Sequence, residues 1–180
     1  IRDIIAIKEE TGLPVIGLVK IQYPGYEGYI TPTMKEVDDL VAAGSDVVAL
    51  DCTLRKRGDG TTVNEFIAQI KEKYSDIILM ADISNYEEGI NAWKCGVDIV
   101  GTTMSGYTDY TSQKDEPDYE LMERLAKDID IPVIGEGKIH YPDQAVKALQ
   151  TGVWAIVVGG AITRPLEIAQ RFQKAIKNSK

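Results

Sequence analysis

The sequence predicts an α/β protein of the (β/α)8 TIM-barrel class, with six of the eight βα units present in this chain and the N-terminal two missing. Three observations predict it. Short runs rich in Val and Ile alternate strictly with amphipathic helical stretches, the pattern of a parallel sheet. The helix-to-strand junctions repeat, since Ala43-Gly44-Ser45-Asp46-Val47-Val48 returns as Cys95-Gly96-Val97-Asp98-Ile99-Val100 and as Thr151-Gly152-Val153-Trp154-Ala155-Ile156. The units are also uniform in length, and no Gly-x-Gly-x-x-Gly turn follows a first strand, which favours a barrel over a doubly wound dinucleotide fold.

The elements follow in order. Ile1 already lies inside a helix that ends near Gly12, and six strand runs follow, over residues 15–20, 47–51, 77–82, 99–103, 132–136 and 155–159. They are apolar on successive residues, as strands buried on both faces are. Thr33…Glu36, Thr62…Glu65 and Ser84…Glu87 fit capping boxes that start the helices between them. Val63, Phe66, Ile67 and Ile70 form one buried helical stripe. Pro142 and Pro165 open later helices, where a missing N–H costs nothing. Leu13-Pro14-Val15-Ile16-Gly17 returns as Ile131-Pro132-Val133-Ile134-Gly135, so the chain reads as one barrel domain over residues 1–180. Eight strands would need two more units, roughly 50 residues at this repeat.

Composition narrows the function classes. The 180 residues carry a formal net charge of −8 with 44% hydrophobic content. That acidity argues against nucleic acid or an anionic membrane as partner, while leaving room for a local anion pocket. No apolar run is long enough to span a bilayer. Two cysteines, Cys52 and Cys95, make no disulfide framework and suggest a reducing, cytoplasmic setting. His140 is the sole histidine, so a His-rich metal site and a Ser–His–Asp triad are both excluded as readings.

Barrel chemistry gathers at the C-terminal strand ends. Here those ends are Lys20, Asp51, Asp82, Thr102 or Thr103, Glu136 and Gly159. Burying charges without partners is expensive, so a cluster of four ionisable groups at one mouth calls for chemistry or a structural ion-pair ring. A lysine buried at a strand end would serve as a base or Schiff-base nucleophile. Asp82 and Glu136 would orient it or handle hydroxyl protons, or three carboxylates would hold Mg²⁺. After the last two strands, Glu136-Gly137-Lys138-Ile139-His140 and Val158-Gly159-Gly160-Ala161-Ile162-Thr163-Arg164-Pro165 read as a phosphate site. Small residues let backbone amides approach an anion, the following helix N-terminus adds its dipole, and Arg164 adds a bidentate contact. Tyr107-Thr108-Asp109-Tyr110-Thr111 reads as an active-site loop, and Tyr23, Tyr26 and Tyr29 form a similar one, whereas Arg55-Lys56-Arg57 reads as a solvated turn.

Taken together these stretches resemble the bacterial N-acetylmannosamine-6-phosphate 2-epimerases. The likeness is carried by residues 13–20, 29–36, 48–51, 80–84, 101–108, 136–140 and 158–165. It implies a barrel that interconverts N-acetylmannosamine 6-phosphate and N-acetylglucosamine 6-phosphate in sialic-acid catabolism, with no cofactor and no metal. It implies Lys20 as the residue that removes the C2 proton, Asp82 and Glu136 as active-site carboxylates, and Gly137, Gly159, Gly160 and Arg164 as the phosphate clamp. The chain differs from the family in carrying Ile21-Gln22-Tyr23 where Arg-Asp-Tyr usually follows the lysine. The family's first two strands supply a glutamine and an arginine for which this sequence has no counterpart. The rival readings are a Mg²⁺-assisted phosphosugar epimerase or decarboxylase using Asp51 and Asp82, and a non-catalytic phosphosugar-binding fragment. The expected partner is a phosphorylated amino sugar; open strand edges also allow a homodimer.

Overall fold

In the computed structural model, which describes residues 1–111 and 116–179, six parallel strands form a half-barrel in sequential order. The strands are β1 (Ile16–Gly17), β2 (Val47–Asp51), β3 (Ile78–Asp82), β4 (Ile99–Gly101), β5 (Val133–Gly135) and β6 (Ala155–Ile156). The helices are α1 (Arg2–Thr11), α2 (Met34–Ala42), α3 (Val63–Lys73), α4 (Tyr86–Lys94), α5 (Tyr119–Asp128), α6 (Pro142–Gln150), α7 (Gly160–Thr163) and α8 (Pro165–Asn178). None of the described helices is long and apolar enough to cross a membrane.

The repeated junction has a mechanical explanation. Gly44, Gly96 and Gly152 all sit at positive φ, 79°, 85° and 94°, where a side chain would be strained. Two residues on, Asp46 and Asp98 do the same work. Asp46 accepts hydrogen bonds from the Val15 amide and the Lys8 ammonium, both at 2.8 Å. Asp98 accepts from the Leu79 amide and the Lys71 ammonium, again at 2.8 Å. Each aspartate therefore ties the neighbouring strand to the helix that precedes that strand. In the third copy Trp154 stands in the aspartate's place and is 74% exposed; only the backbone bond from its amide to the Val133 carbonyl remains.

Two capping boxes form as the sequence predicts, at Thr33–Glu36 and Thr62–Glu65, and Pro142 and Pro165 occupy first turns. The third starts one residue later. Asn85 caps α4 by accepting from the Glu88 amide, because Glu88 instead receives the Ser84 amide and hydroxyl, both at 2.7 Å. The strands are also shorter than their apolar runs. The first stops at Gly17 because the chain then pairs with its own returning loop: the Thr31 amide donates to the Val19 carbonyl and the Ile21 amide to the Tyr29 carbonyl. Lys20 thus sits in an isolated antiparallel bridge with Ile30 instead of ending a buried strand.

Asp98→Ala is expected to lower stability by about 1–2 kcal/mol, since it strips a buried strand amide of its acceptor. In a chain of this size that is about 2–8 °C in Tm. Lys71→Ala should cost less, because the half-exposed ion pair is screened; equal losses in thermal melts would contradict this division of labour.

Candidate active site

Side-chain alternation builds the site. Val48, Leu50, Leu79, Ala81, Val100 and Val133 point outward into the core beneath the helices. The intervening positions, Val47, Ala49, Met80 and Ile134, pack with Ile99, Ala155 and Val157 as a separate small cluster lining the inside of the half-barrel. Continued to the C-terminal strand ends, the inward parity selects Asp51, Asp82, Thr103 and Glu136. Asp51 and Asp82 are direct register partners, and Asp82 lies opposite Gly101. A Cβ on Gly101 would lie 2.4 Å from the Met80 methyl and 3.4 Å from an Asp82 oxygen, so its absence leaves room for this layer.

Over these ends opens a cavity of about 240 Å³, just below the usual range for ligand sites. Lys20, Tyr29, Thr103, Tyr107, Glu136, Gly137, His140, Gly159, Gly160 and Arg164 are among its lining residues. Asp82 lies behind Thr103, outside the lining. The Thr103 hydroxyl lies 2.6 Å from Asp82 Oδ1 and 3.1 Å from Glu136 Oε2. Next to it the Thr102 hydroxyl grips the Glu136 backbone, donating to its carbonyl at 2.8 Å and accepting from its amide at 3.0 Å.

Electrostatically the two carboxyls sit well above ordinary values. Burial pushes Asp82 up to about 8; Glu136 and Asp51 add to the rise, while the Thr103 hydrogen bond and the Lys20 charge oppose it. Glu136 is raised by burial, again against Thr103 and Lys20. Asp82 Oδ2 is buried with no hydrogen-bond partner, as suits a carboxyl held neutral. Burial also raises the hydroxyls of Tyr29 and Tyr107.

Several expectations change. Lys20 reaches the cavity, but it does so from exposed chain and not from the end of a buried strand. Its loop is held without the family's ionic residues: the Gln22 amide donates to the Tyr26 carbonyl and the Tyr23 hydroxyl to Glu36 at 2.9 Å. Asp51 is drawn away from the mouth. It accepts from the Thr53 hydroxyl and the Arg55 guanidinium, both at 2.6 Å, so a Mg²⁺ on Asp51 and Asp82 would have to displace Arg55. Among the described residues no three His, Cys, Asp or Glu are grouped to hold a metal ion. The basic turn is not merely solvated either: Arg57 is buried, with its guanidinium 3.9 Å from the Phe66 ring centroid.

At the anion end, the space above Gly159 is open, while Gly137 takes φ 99° and is required by its turn whatever binds there. The helix opened by Pro165 forms, and a short helix that was not expected precedes it. The four residues of α7 stop at Arg164 before Pro165 starts α8, so this end offers first-turn amides instead of a long macrodipole. Arg164 is tied to Glu167 at 2.8 Å across an exposed pair, and Glu167 lines the same cavity. An anion must therefore share or displace that contact. Glu167 was not signalled by the strand-end pattern, since it lies within α8; its i,i+3 spacing from Arg164 is the cue.

Fold and site together define an α/β half-barrel with a cavity lined by Lys20, Glu136, the Gly159-Gly160 turn and Arg164. Residues 1–178 match the NanE family model, described as "Putative N-acetylmannosamine-6-phosphate epimerase". A relative with the corresponding 2-epimerase description from Caldanaerobacter subterraneus subsp. tengcongensis is 56% identical over 175 residues, covering 97% of this chain and 74% of the relative. Another from Clostridioides difficile is 51% identical over 177 residues, covering 98% and 78%. The solved N-acetylmannosamine-6-phosphate 2-epimerase of Clostridium perfringens is 50% identical with a TM-score of 0.90, over 96% of this chain and 75% of that one. A thiamine phosphate pyrophosphorylase from Pyrococcus furiosus shares the fold more distantly, with 26% identity and a TM-score of 0.53 over 70% and 55%. The chain belongs to the N-acetylmannosamine-6-phosphate epimerase family.

The carboxyl that must stay protonated gives a pH signature. Unfolded aspartate ionises near ~4, whereas folded Asp82 does so at about 8. Between those values the folded state holds a proton that the unfolded chain has released, so stability falls as pH rises through the window. Asp82→Asn should flatten that fall and raise stability at about pH 8 by about 1–3 kcal/mol, the scale of a buried polar group without a partner. Denaturant titrations across pH check this; parallel curves for variant and wild type would count against it.

Proposed function

We propose that the chain epimerises C2 of N-acetylmannosamine 6-phosphate to give N-acetylglucosamine 6-phosphate, as the printed names of its relatives describe for them. The observation that carries the reading is that one cavity is lined by Lys20 and Glu136 together with the Gly159-Gly160 turn and Arg164. That set of groups suits a molecule with a reactive carbon beside an ionisable pair and a phosphate beside glycine amides and a guanidinium.

In this mechanism the sugar ring opens and exposes a C1 aldehyde, which acidifies the proton on C2. Lys20, with its amine lone pair free, takes that proton, and the bonding electrons move toward the C1 oxygen as an enolate. Return of a proton to the opposite face of C2 inverts the centre. Glu136, which lines the cavity, handles protons at the C1 and ring oxygens, with Asp82 behind it at Thr103; burial raises both carboxyls, which favours their protonated forms. The amides at Gly137, Gly159 and Gly160, with Arg164, hold the phosphate. Binding energy at that remote group fixes C2 near the base, where orientation counts most.

The finer architecture completing this reading is an eight-stranded barrel as a single domain, with two further βα units filling the gap between β6 and β1. Several features support it. The half-barrel has unpaired edges at β1 and β6. No residue of α8 is buried, and Leu166, Phe172 and Ile176 are 71%, 69% and 60% exposed, an apolar surface that calls for cover. The relatives extend beyond the matched stretch.

Incubation with N-acetylmannosamine 6-phosphate in D₂O, followed at C2 by NMR, tests the reaction. Deuterium should enter C2 as the epimer forms, and Lys20→Ala should abolish exchange while substrate still binds; retained exchange would sink the role of Lys20. Arg164→Ala should raise KM by about 10-fold with kcat little changed, the loss of roughly 1.4 kcal/mol of uniform binding. An unchanged KM would count against the phosphate clamp.

A further inference from the structure

Thr103 carries one hydroxyl hydrogen but stands between two carboxyls, 2.6 Å from Asp82 Oδ1 and 3.1 Å from Glu136 Oε2. A hydroxyl donates one hydrogen bond and accepts others. It therefore cannot donate fully to two carboxylates at once. The arrangement is satisfied when one carboxyl is protonated and donates to Thr103 Oγ1, while Thr103 donates to the other. Asp82 is the better holder of that proton, because it is almost completely buried and its second oxygen meets no partner. An ionised carboxylate there would be costly. The Thr102 grip on the Glu136 backbone keeps the second carboxyl in reach.

Building on the epimerase reading, we propose that Thr103 is a positioning residue that couples Asp82 and Glu136 through its hydroxyl into a pair sharing one proton, and relays that proton between them. The transfer balances as two coordinated moves. The Asp82 O–H bond breaks as a new O–H bond forms at Thr103 Oγ1, and the original Thr103 O–H bond breaks as its proton joins Glu136. Asp82 ends as the carboxylate and Glu136 as the acid. Glu136, which lines the cavity, can then give that one proton to a sugar oxygen, leaving both carboxyls ionised until a proton taken back from the sugar by Glu136 returns through Thr103 to Asp82, which lies behind Thr103 and does not line the cavity. Through this relay a residue out of the substrate's reach stores the proton that one within it delivers.

The surrounding charges are few. Lys20 faces the pair from the chain after β1 and lowers both carboxyls; Asp51, from β2 and bonded to Arg55, raises Asp82, and the Tyr29 and Tyr107 hydroxyls lie within electrostatic reach of Asp82 and Glu136 respectively. Lys20 favours the ionised forms and Asp51 opposes them, yet neither touches the Thr103 bridge. The bridge stabilises the singly protonated pair above the fully ionised one, so it widens the separation between the pair's two macroscopic titration steps.

The test follows the Asp82 and Glu136 carboxyl carbons by NMR across pH, in the whole chain without substrate. Wild type should show two well-separated steps. Thr103→Val and Thr103→Ala, which both lack the hydroxyl, should narrow that separation, and Thr103→Ser should restore it. An unchanged separation in both hydroxyl-free variants would overturn the relay. In turnover, Thr103→Val should lower kcat by about 10²-fold with KM nearly unchanged, the scale of one general acid–base contribution, and Thr103→Ser should recover most of it. A KM-only effect would also overturn it. Wild-type protein that fails to epimerise the sugar would refute the reaction, while the titration still decides the relay.

Discussion

Everything in the site depends on the two-residue alternation of a parallel strand held in register with its neighbours. Because β2, β3, β4 and β5 keep one register, the side chains that face inward form layers. The lower layers are apolar: Val47, Ala49, Met80 and Ile134. One step further along, the same parity presents Asp82, Thr103 and Glu136. A slip of one residue in any strand would turn its polar end into the helix-facing core and an aliphatic side chain into the site. The Asp46 and Asp98 ties guard against such slips, since each links an amide at the start of a neighbouring strand to a lysine on the helix before it.

That geometry buries carboxyls, and their chemistry follows from the burial. Desolvation is the largest influence on both Asp82 and Glu136, and the nearby lysine only partly offsets it. The result is a proton reservoir near neutral pH with one cation facing it. Asp51 shows the contrasting outcome. It has the same residue type and the same layer, but Arg55 and Thr53 bind its oxygens, and it becomes a structural ion pair instead of a member of the mouth.

Much of this was legible in the sequence because it rests on local rules. The repeated Gly-x-Asp junction, the Thr33 and Thr62 caps and the Pro142 and Pro165 helix starts depend on neighbours within a few residues. The family resemblance likewise rests on contiguous motifs. The strand ends named Lys20, Asp82 and Glu136; Lys20 and Glu136 line one cavity, and Asp82 lies behind Thr103 without lining it. What escaped depends on contacts between distant segments. Glu88 draws in Ser84 and the Tyr110 hydroxyl, which shifts a helix start. The loop over residues 21–31 folds back on Val19 and shortens β1. Lys20 consequently sits on exposed chain, a position set by pairing that no apolar run reveals. The start of α5, which Asp118 caps, had no reading in the sequence.

The phosphate end is the least constrained part of the site, for Arg164 is already paired with Glu167 and α7 is a single turn. The reaction needs both ends of the cavity to act on one molecule. A crystal structure with N-acetylglucosamine 6-phosphate bound tests that requirement most directly. The account predicts the phosphate over Gly159 and Gly160, C2 within reach of the Lys20 amine, and an oxygen of the C1 end beside Glu136. A sugar seated elsewhere, or bound in this cavity with its phosphate at Lys20 and C2 at Gly159, would contradict it.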